Sequence, residues 1–448
     1  MAVLRGQEVT KSHGPLDMPC ALLTWPSTVF DFVQSPQPES LEEGVALYTN
    51  LSNGGMLDFN FHVILLPGAT GEDNFGPRSP ERWAALEKAM TAVVAGGVGS
   101  FKLFMSYKGF LMLSDQELIA GLAKARDLGA VPLFHAENGH AAHYGRNRLF
   151  DAGITGPEGD ALARPPILEG EAVKRIGLYA GMLDAPAYIV HVMSKDALDE
   201  ITAARARGVR MVGEAITASI SVPYDGMWAP EFDEAAKNTL SPPLRSREHV
   251  SALAKALAAG LLSHLGSDHA AFNSTQKRLG RYDFRDIPVS GNGIEERLVV
   301  TWDAIVASGL ASPSDFVRVT STAAAQIFNL YPRKGRIEAG SDADVVLFDP
   351  EARQVLSART HHSRIDTSLW EGRTVAGRVD LTISRGRIVF DNGKLNLLPG
   401  TGRFVAVKPF GGLYHGLKIR RATRDAVESA GMPAAPVLRR DAAVREEL

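Results

Sequence analysis

Apolar runs of strand length alternate with helical stretches from about residue 27 to about residue 330, the pattern of a parallel β/α domain. Seven strands are predicted, at Thr28 to Val33, Asp58 to Leu65, Ser100 to Met105, Val131 to Ala136, Ala187 to Met193, Val209 to Ala215 and Leu261 to Ser267. The helices between them carry readable ends. Ser114 with Glu117 forms a capping-box pair that opens a helix ending near Gly129, Ser194 opens one that stops near Gly208, and Ser246 opens one that stops at Gly260.

Four of the strand ends finish on residues with chemistry. SFKLFMSY places Lys102 among apolar neighbours, VPLFHAEN ends in His135, AYIVHVMS in His191, and LLSHLGSDH in Asp268. An open doubly wound sheet is compatible with the alternation, but ligands from four separate strand ends converge only where the strands form a ring. A (β/α)8-type TIM barrel with its site at the carboxyl face is therefore the predicted architecture.

From Lys334 onward the texture changes: KGRIEAGSDADVVLFDP and LTISRGRIVFDNGKL read as short strands joined by Gly and Asp turns. The expected organisation is a barrel over residues 1–333, a small β-sandwich-like domain over 334–417, and a tail over 418–448 rich in Arg, Glu and Ala. With 448 residues, 45% hydrophobic and 22% charged, the chain can bury a large core. The net charge of −3 gives no basic excess for nucleic acid or an anionic membrane, so a small neutral substrate is the expected partner. The lone Cys20 excludes an intramolecular disulfide and suits the cytoplasm. The first fifteen residues hold no apolar signal-like region, and no run reaches membrane-spanning length.

The four residues define a metal-hydrolase constellation. A lysine is ordinarily a poor ligand because its amine is protonated, but burial lowers its pKa. The neutral amine can then add carbon dioxide to give a carbamate whose two oxygens bridge two metal ions. His135 and His191 are neutral nitrogen donors for one ion. Asp268, after the tight Gly266-Ser267 segment, suits a ligand that is also the general base, and Tyr107, five residues beyond Lys102, an oxyanion donor. Each has a plainer explanation alone: a solvated lysine, hydrogen-bonded core histidines, a capping aspartate, a packed tyrosine. Their joint placement on strand ends is what argues for chemistry. Among the other histidines, His264 shares a strand face with Asp268 and suits a supporting role. His62 has no partner motif, and His140, His143, His361 and His362 sit in loop-like stretches.

With those residues in view, nearly the whole chain resembles the dihydropyrimidinase and hydantoinase family of cyclic amidohydrolases. SFKLFMSYKG is similar to its carboxylated-lysine segment, LFHAENG and YIVHVMS to its single-histidine segments, and GSDHAAF to its aspartate segment. NTLSPPLR and IPVSGNGIEER resemble its substrate loops, and the stretch from KGRIEAGSDADVVLFDP to KPF its closing β-domain. The resemblance implies two zinc ions, a carbamate on Lys102, His135 and His191 on one zinc, Asp268 on the other and as base, and Tyr107 as oxyanion donor. It also implies that Ser241 and the backbone near Val289 and Ser290 bind the ring amide, and that the protein is a homotetramer. An asparagine stands in the family at about Val289, so a main-chain role survives here and a side-chain role does not.

One departure stands out. The family carries a His-x-His pair at the end of its first barrel strand, and no such pair precedes Lys102; His13 in TKSHGP is the nearest candidate and no apolar run leads into it. The chain therefore reads as beginning after that strand, about one β/α unit short of a closed barrel, with one zinc left only the carbamate and Asp268. The expected function is metal-dependent opening of a hydantoin or dihydropyrimidine ring, impaired to the extent that the missing pair matters. The competing expectations are an inactive relative kept as an interaction scaffold, and an allantoinase or dihydroorotase.

Overall fold

The computed structural model describes residues 27–67, 80–396 and 399–415; His13, Cys20 and the tail from Lys418 lie outside them. Seven parallel strands form one sheet in chain order: β1 (Thr28–Val33), β2 (Asp58–Ile64), β3 (Ser100–Phe104), β4 (Val131–His135), β5 (Ala187–Ile189), β6 (Met211–Ile216) and β7 (His264–Gly266). Thr28 lies opposite Asp58, Lys102 opposite Leu133, and Glu214 opposite His264. Among the described residues β1 and β7 are the two edges, so the curled sheet is a TIM-barrel-like fold with one side open.

Helices α1 (Leu41–Ser52), α2 (Pro80–Ala95), α3 (Asp115–Asp127), α4 (Gly139–Asp151), α5 (Ile167–Leu183), α6 (Lys195–Ala206) and α7 (Arg247–Ala258) lie between the strands, α4 and α5 both between β4 and β5. Side chains alternate across a strand, and here the alternation decides what faces the site. Phe101 and Leu103 of β3 join Leu86 and Met90 of α2 and Leu118 and Leu122 of α3 in the outer core, which turns Lys102 inward. Burying each such Leu or Phe contributes roughly 1.5–3 kcal/mol. Toward the amino ends of the strands the lumen is filled by Phe328, whose ring packs against Phe30, His62, Tyr188 and His264.

All seven predicted strands form, and the ends differ where backbone geometry intervenes. β5 stops at Ile189 instead of running to Met193, because His191 takes a left-handed φ of 37° and turns its N–H out of the ladder. β7 starts at His264 instead of Leu261, because the amides of Leu261 and Leu262 both return to the Ala256 carbonyl to close α7. The Ser114–Glu117 capping box forms with both reciprocal bonds, and Ser194 caps α6 through Ala197 N–H.

A four-stranded antiparallel sheet follows: β8 (Val345–Val355), β9 (Thr374–Ser384), β10 (Arg387–Asp391) and β11 (Lys394–Leu395), in the order β11-β10-β9-β8. This is the small β-structure expected after the barrel; its Phe348, Val379 and Phe390 pack on Leu298, Trp302 and Phe316 of the barrel's last helices. Lys334 ties it to the barrel, reaching Asp58 of β2 at 2.7 Å and Asp344 at 2.6 Å. Beyond β11 the chain returns to β2, where Phe59 N–H donates to the Arg403 carbonyl and Val405 N–H to that of Phe59. Among the described residues no helix is long and apolar enough to cross a membrane.

Candidate active site

Lys102, His135, His191 and Asp268 meet at the carboxyl mouth of the sheet. The rings of His135 and His191 stand edge to face with centroids 4.5 Å apart. Lys102 is only 2% exposed, and its amine lies 4.8 Å from the centre of the Phe104 ring and 5.1 Å from that of Phe32. Burial pulls its pKa down to about 7, against the opposing pull of the carboxylates of Asp268 and Glu214. A neutral amine at this position is thus accessible near neutral pH.

Burial also lowers His135, to about 4, and His191 well below the usual histidine range, each further lowered by nearby Lys102. Both imidazoles are neutral at pH 7 and have lone pairs to give. The Nδ1 atom of His191 is buried without a hydrogen-bond partner, an arrangement that is costly unless something fills it. Tyr107, His191 and Asp268 take left-handed φ values of 62°, 37° and 47°. Three of the four strand-end motifs thus hold a non-glycine residue in a conformation costing of order 1–3 kcal/mol, the pattern of backbone held for function.

The tyrosine and serine expected at the substrate also come together. Tyr107 shares a hydrogen bond with Ser241, and burial raises its phenol to about 12. Arg164 donates to Ser241 Oγ at 2.8 Å, to the Leu240 carbonyl at 2.8 Å, to Asp160 at 2.6 Å and to Glu137 at 3.3 Å. Glu137 in turn lies 3.4 Å from His135 Nε2. One buried chain of polar contacts therefore links His135 to Ser241 through Glu137 and Arg164. Val289 is half-buried, and the buried Ser290 turns its carbonyl to Lys277 Nζ at 2.8 Å.

Sequence reasoning missed Glu137, Arg164, Lys277 and Glu214. Glu214 accepts the His191 N–H at 3.0 Å and the Tyr188 hydroxyl at 2.8 Å, bracing the left-handed turn that aims His191. A charged residue inside the apolar strand MVGEAI, and another two places after His135, were signals available in the chain. His264 is buried and bonded to the Tyr188 hydroxyl at 2.8 Å, one step behind Glu214. His62 has a partner after all, Ser100 Oγ at 2.6 Å from its Nδ1. His361 and His362, read as loop histidines, pair with Glu296 and Glu295.

Among the described residues no group of three or more His, Cys, Asp or Glu side chains is placed to hold a metal ion. A divalent ion at this mouth would depend on Lys102 as well as the imidazoles. The donor set fits that requirement: two neutral imidazoles, one with an unpartnered nitrogen, beside an amine lowered to about 7 and a carboxylate close enough to act on it.

The chain's similarity to known proteins agrees with this geometry. Residues 109–389 match the model of the amidohydrolase family. A dihydropyrimidinase of Arabidopsis thaliana is 44% identical over 87% of this chain and 70% of its own length. A D-hydantoinase of Ralstonia pickettii is 35% identical over 85% of this chain and 80% of its own. The crystal structure of a dihydropyrimidinase from Brevibacillus agri superposes with a TM-score of 0.83 at 35% identity, covering 89% of this chain and 84% of that one. The chain spans 63% of the length of a rat dihydropyrimidinase that it matches at 43% identity. A shared curled sheet, a shared small sheet and identities of this order over most of the chain come from common descent: the chain belongs to the dihydropyrimidinase and hydantoinase family of the amidohydrolase superfamily.

Proposed function

We propose that this chain is a cyclic amidohydrolase that opens a hydantoin or dihydropyrimidine ring by adding water across the bond between ring carbonyl and nitrogen. The observation that carries the reading is Lys102: an amine 2% exposed, lowered to about 7, beside two neutral imidazoles and Asp268. As a carbamate, Lys102 would hold zinc together with His135 and His191 on one side and Asp268 on the other; two ions per subunit are the family's number. The metal, when bound, supplies Lewis-acid polarisation of the carbonyl and lowers the pKa of water.

The chain's own residues supply the rest. Tyr107 keeps its proton throughout the neutral range, so it donates to the carbonyl oxygen as that atom gains negative charge. Asp268 takes the proton of the attacking water and returns it to the ring nitrogen as the C–N bond breaks, which balances the step without an external acid. Ser241, fixed from behind by Arg164, and the main chain at Val289 and Ser290 orient the ring amide. A homotetramer in the cytoplasm is the setting that accompanies this reading, and light scattering on the purified protein tests the assembly.

The test is metal content by plasma mass spectrometry together with hydrolysis of hydantoin, dihydrouracil, allantoin and dihydroorotate. Near-stoichiometric zinc with turnover of hydantoin or dihydrouracil is expected. A protein that neither binds zinc nor opens any of the four rings overturns the proposal, and preference for allantoin or dihydroorotate reassigns the substrate.

A further inference from the structure

Lys277 closes the short helix Ser274–Lys277 and is 2% exposed, a rare place for an ammonium. Its Nζ lies within hydrogen-bonding distance of four oxygens from two segments far apart in sequence, which share its three N–H groups: the Thr239 carbonyl at 3.2 Å, Thr239 Oγ1 at 3.1 Å, the Pro288 carbonyl at 3.1 Å and the Ser290 carbonyl at 2.8 Å. The first segment leads directly into Ser241 and the second flanks Val289. These are the two stretches that the proposed function sets around the ring amide.

We infer that Lys277 is a positioning residue for the ring-opening reaction: from behind the site it clamps the Ser241 segment to the Val289–Ser290 segment, so that the substrate meets both as one rigid wall. The inference rests on the functional reading above. Lysine suits the task because three donors on one small tetrahedral head can reach oxygens arriving from different directions. Burial lowers the amine to about 7 with Asp160 opposing, and every one of its four partners can accept, which favours the charged form. Arg164 completes the wall from the other side through the Leu240 carbonyl and Ser241 Oγ. Without the ammonium, buried carbonyls of both segments lose their partner and the two have no common anchor at this point.

The experiment compares the full wild-type chain with Lys277→Met in two measurements: amide hydrogen exchange by mass spectrometry, and kinetics with dihydrouracil. Exchange is expected to accelerate about tenfold in both segments, 238–241 and 289–292, and KM to rise about tenfold with a smaller fall in kcat. Exchange that rises in one segment only or in neither, or a loss confined to kcat, overturns the clamp. Where Lys277→Met precipitates, Lys277→Gln takes its place under the same outcomes. A wild-type chain that neither binds zinc nor opens any of the four rings overturns the hydrolase reading by itself, while the exchange measurement, which needs no turnover, still decides whether Lys277 ties the two segments.

Discussion

At the scale of single residues, one lysine carries two consequences of burial. Lys102 is lowered from 10.5 to about 7 in the folded chain, so between those values the unfolded chain holds a proton that the folded chain lacks. Stability of the metal-free protein therefore rises with pH through this window, and below about pH 7 the cost of the buried charge is fully present. Lys102→Met removes that proton, and its stability should change with pH less steeply, by about 1.4 kcal/mol per pH unit, in urea titrations between pH 7.5 and 9.5. An unchanged slope would mean that the amine is solvated. Glu214 offers a second residue-level test. Its carboxylate accepts the His191 N–H, so Glu214→Met, which removes the acceptor, should loosen the turn that aims the imidazole and weaken the proposed zinc binding about 10- to 100-fold in competition with a chelating dye.

At the scale of elements, strand ends and helix starts are where sequence and structure meet most directly. Ser114 accepts the Glu117 N–H while the Glu117 carboxylate accepts the Ser114 N–H at 2.9 Å, and α3 begins where that pairing predicts. Ser114→Ala should cost about 1 kcal/mol in equilibrium urea unfolding; no loss would show that tertiary packing alone sets the start of α3. The ends of β5 and β7 were less legible. Apolar periodicity runs on to Met193 and back to Leu261, but the chain leaves β5 at a left-handed His191 and spends the amides of Leu261 and Leu262 on closing α7. Hydrophobicity marks which residues are buried, not which hydrogen bonds their amides make.

At the scale of the whole molecule, the barrel and the small sheet are joined by charge as well as by apolar packing. Lys334 is 6% exposed and stands among Asp58, Asp342 and Asp344, and its bonds to Asp344 and Asp58 raise its pKa despite burial. Lys334→Met leaves those carboxylates facing one another, two of them buried, and should destabilise the protein by about 3 kcal/mol or more, seen as a lowered thermal midpoint. A midpoint unchanged from wild type would show that the aromatic contacts of Phe348 and Phe390 hold the sheet unaided.

The sequence by itself determined the parallel β/α order, the helix caps, the inward set of Lys102, His135, His191 and Asp268, and the family, because these depend on periodicity and on residue type at strand ends. Only the tertiary structure decided what stands behind that set. Glu214 meets His191 N–H from the neighbouring strand, Arg164 reaches Ser241 and Glu137 across two loops, and Lys277 gathers oxygens from two distant segments. A single chain encodes no pairing between such residues in its local pattern, since their partners are chosen by strand register and loop closure after folding. The same holds for the acidity of Lys102, which is set by the rings and carboxylates that the fold closes around it.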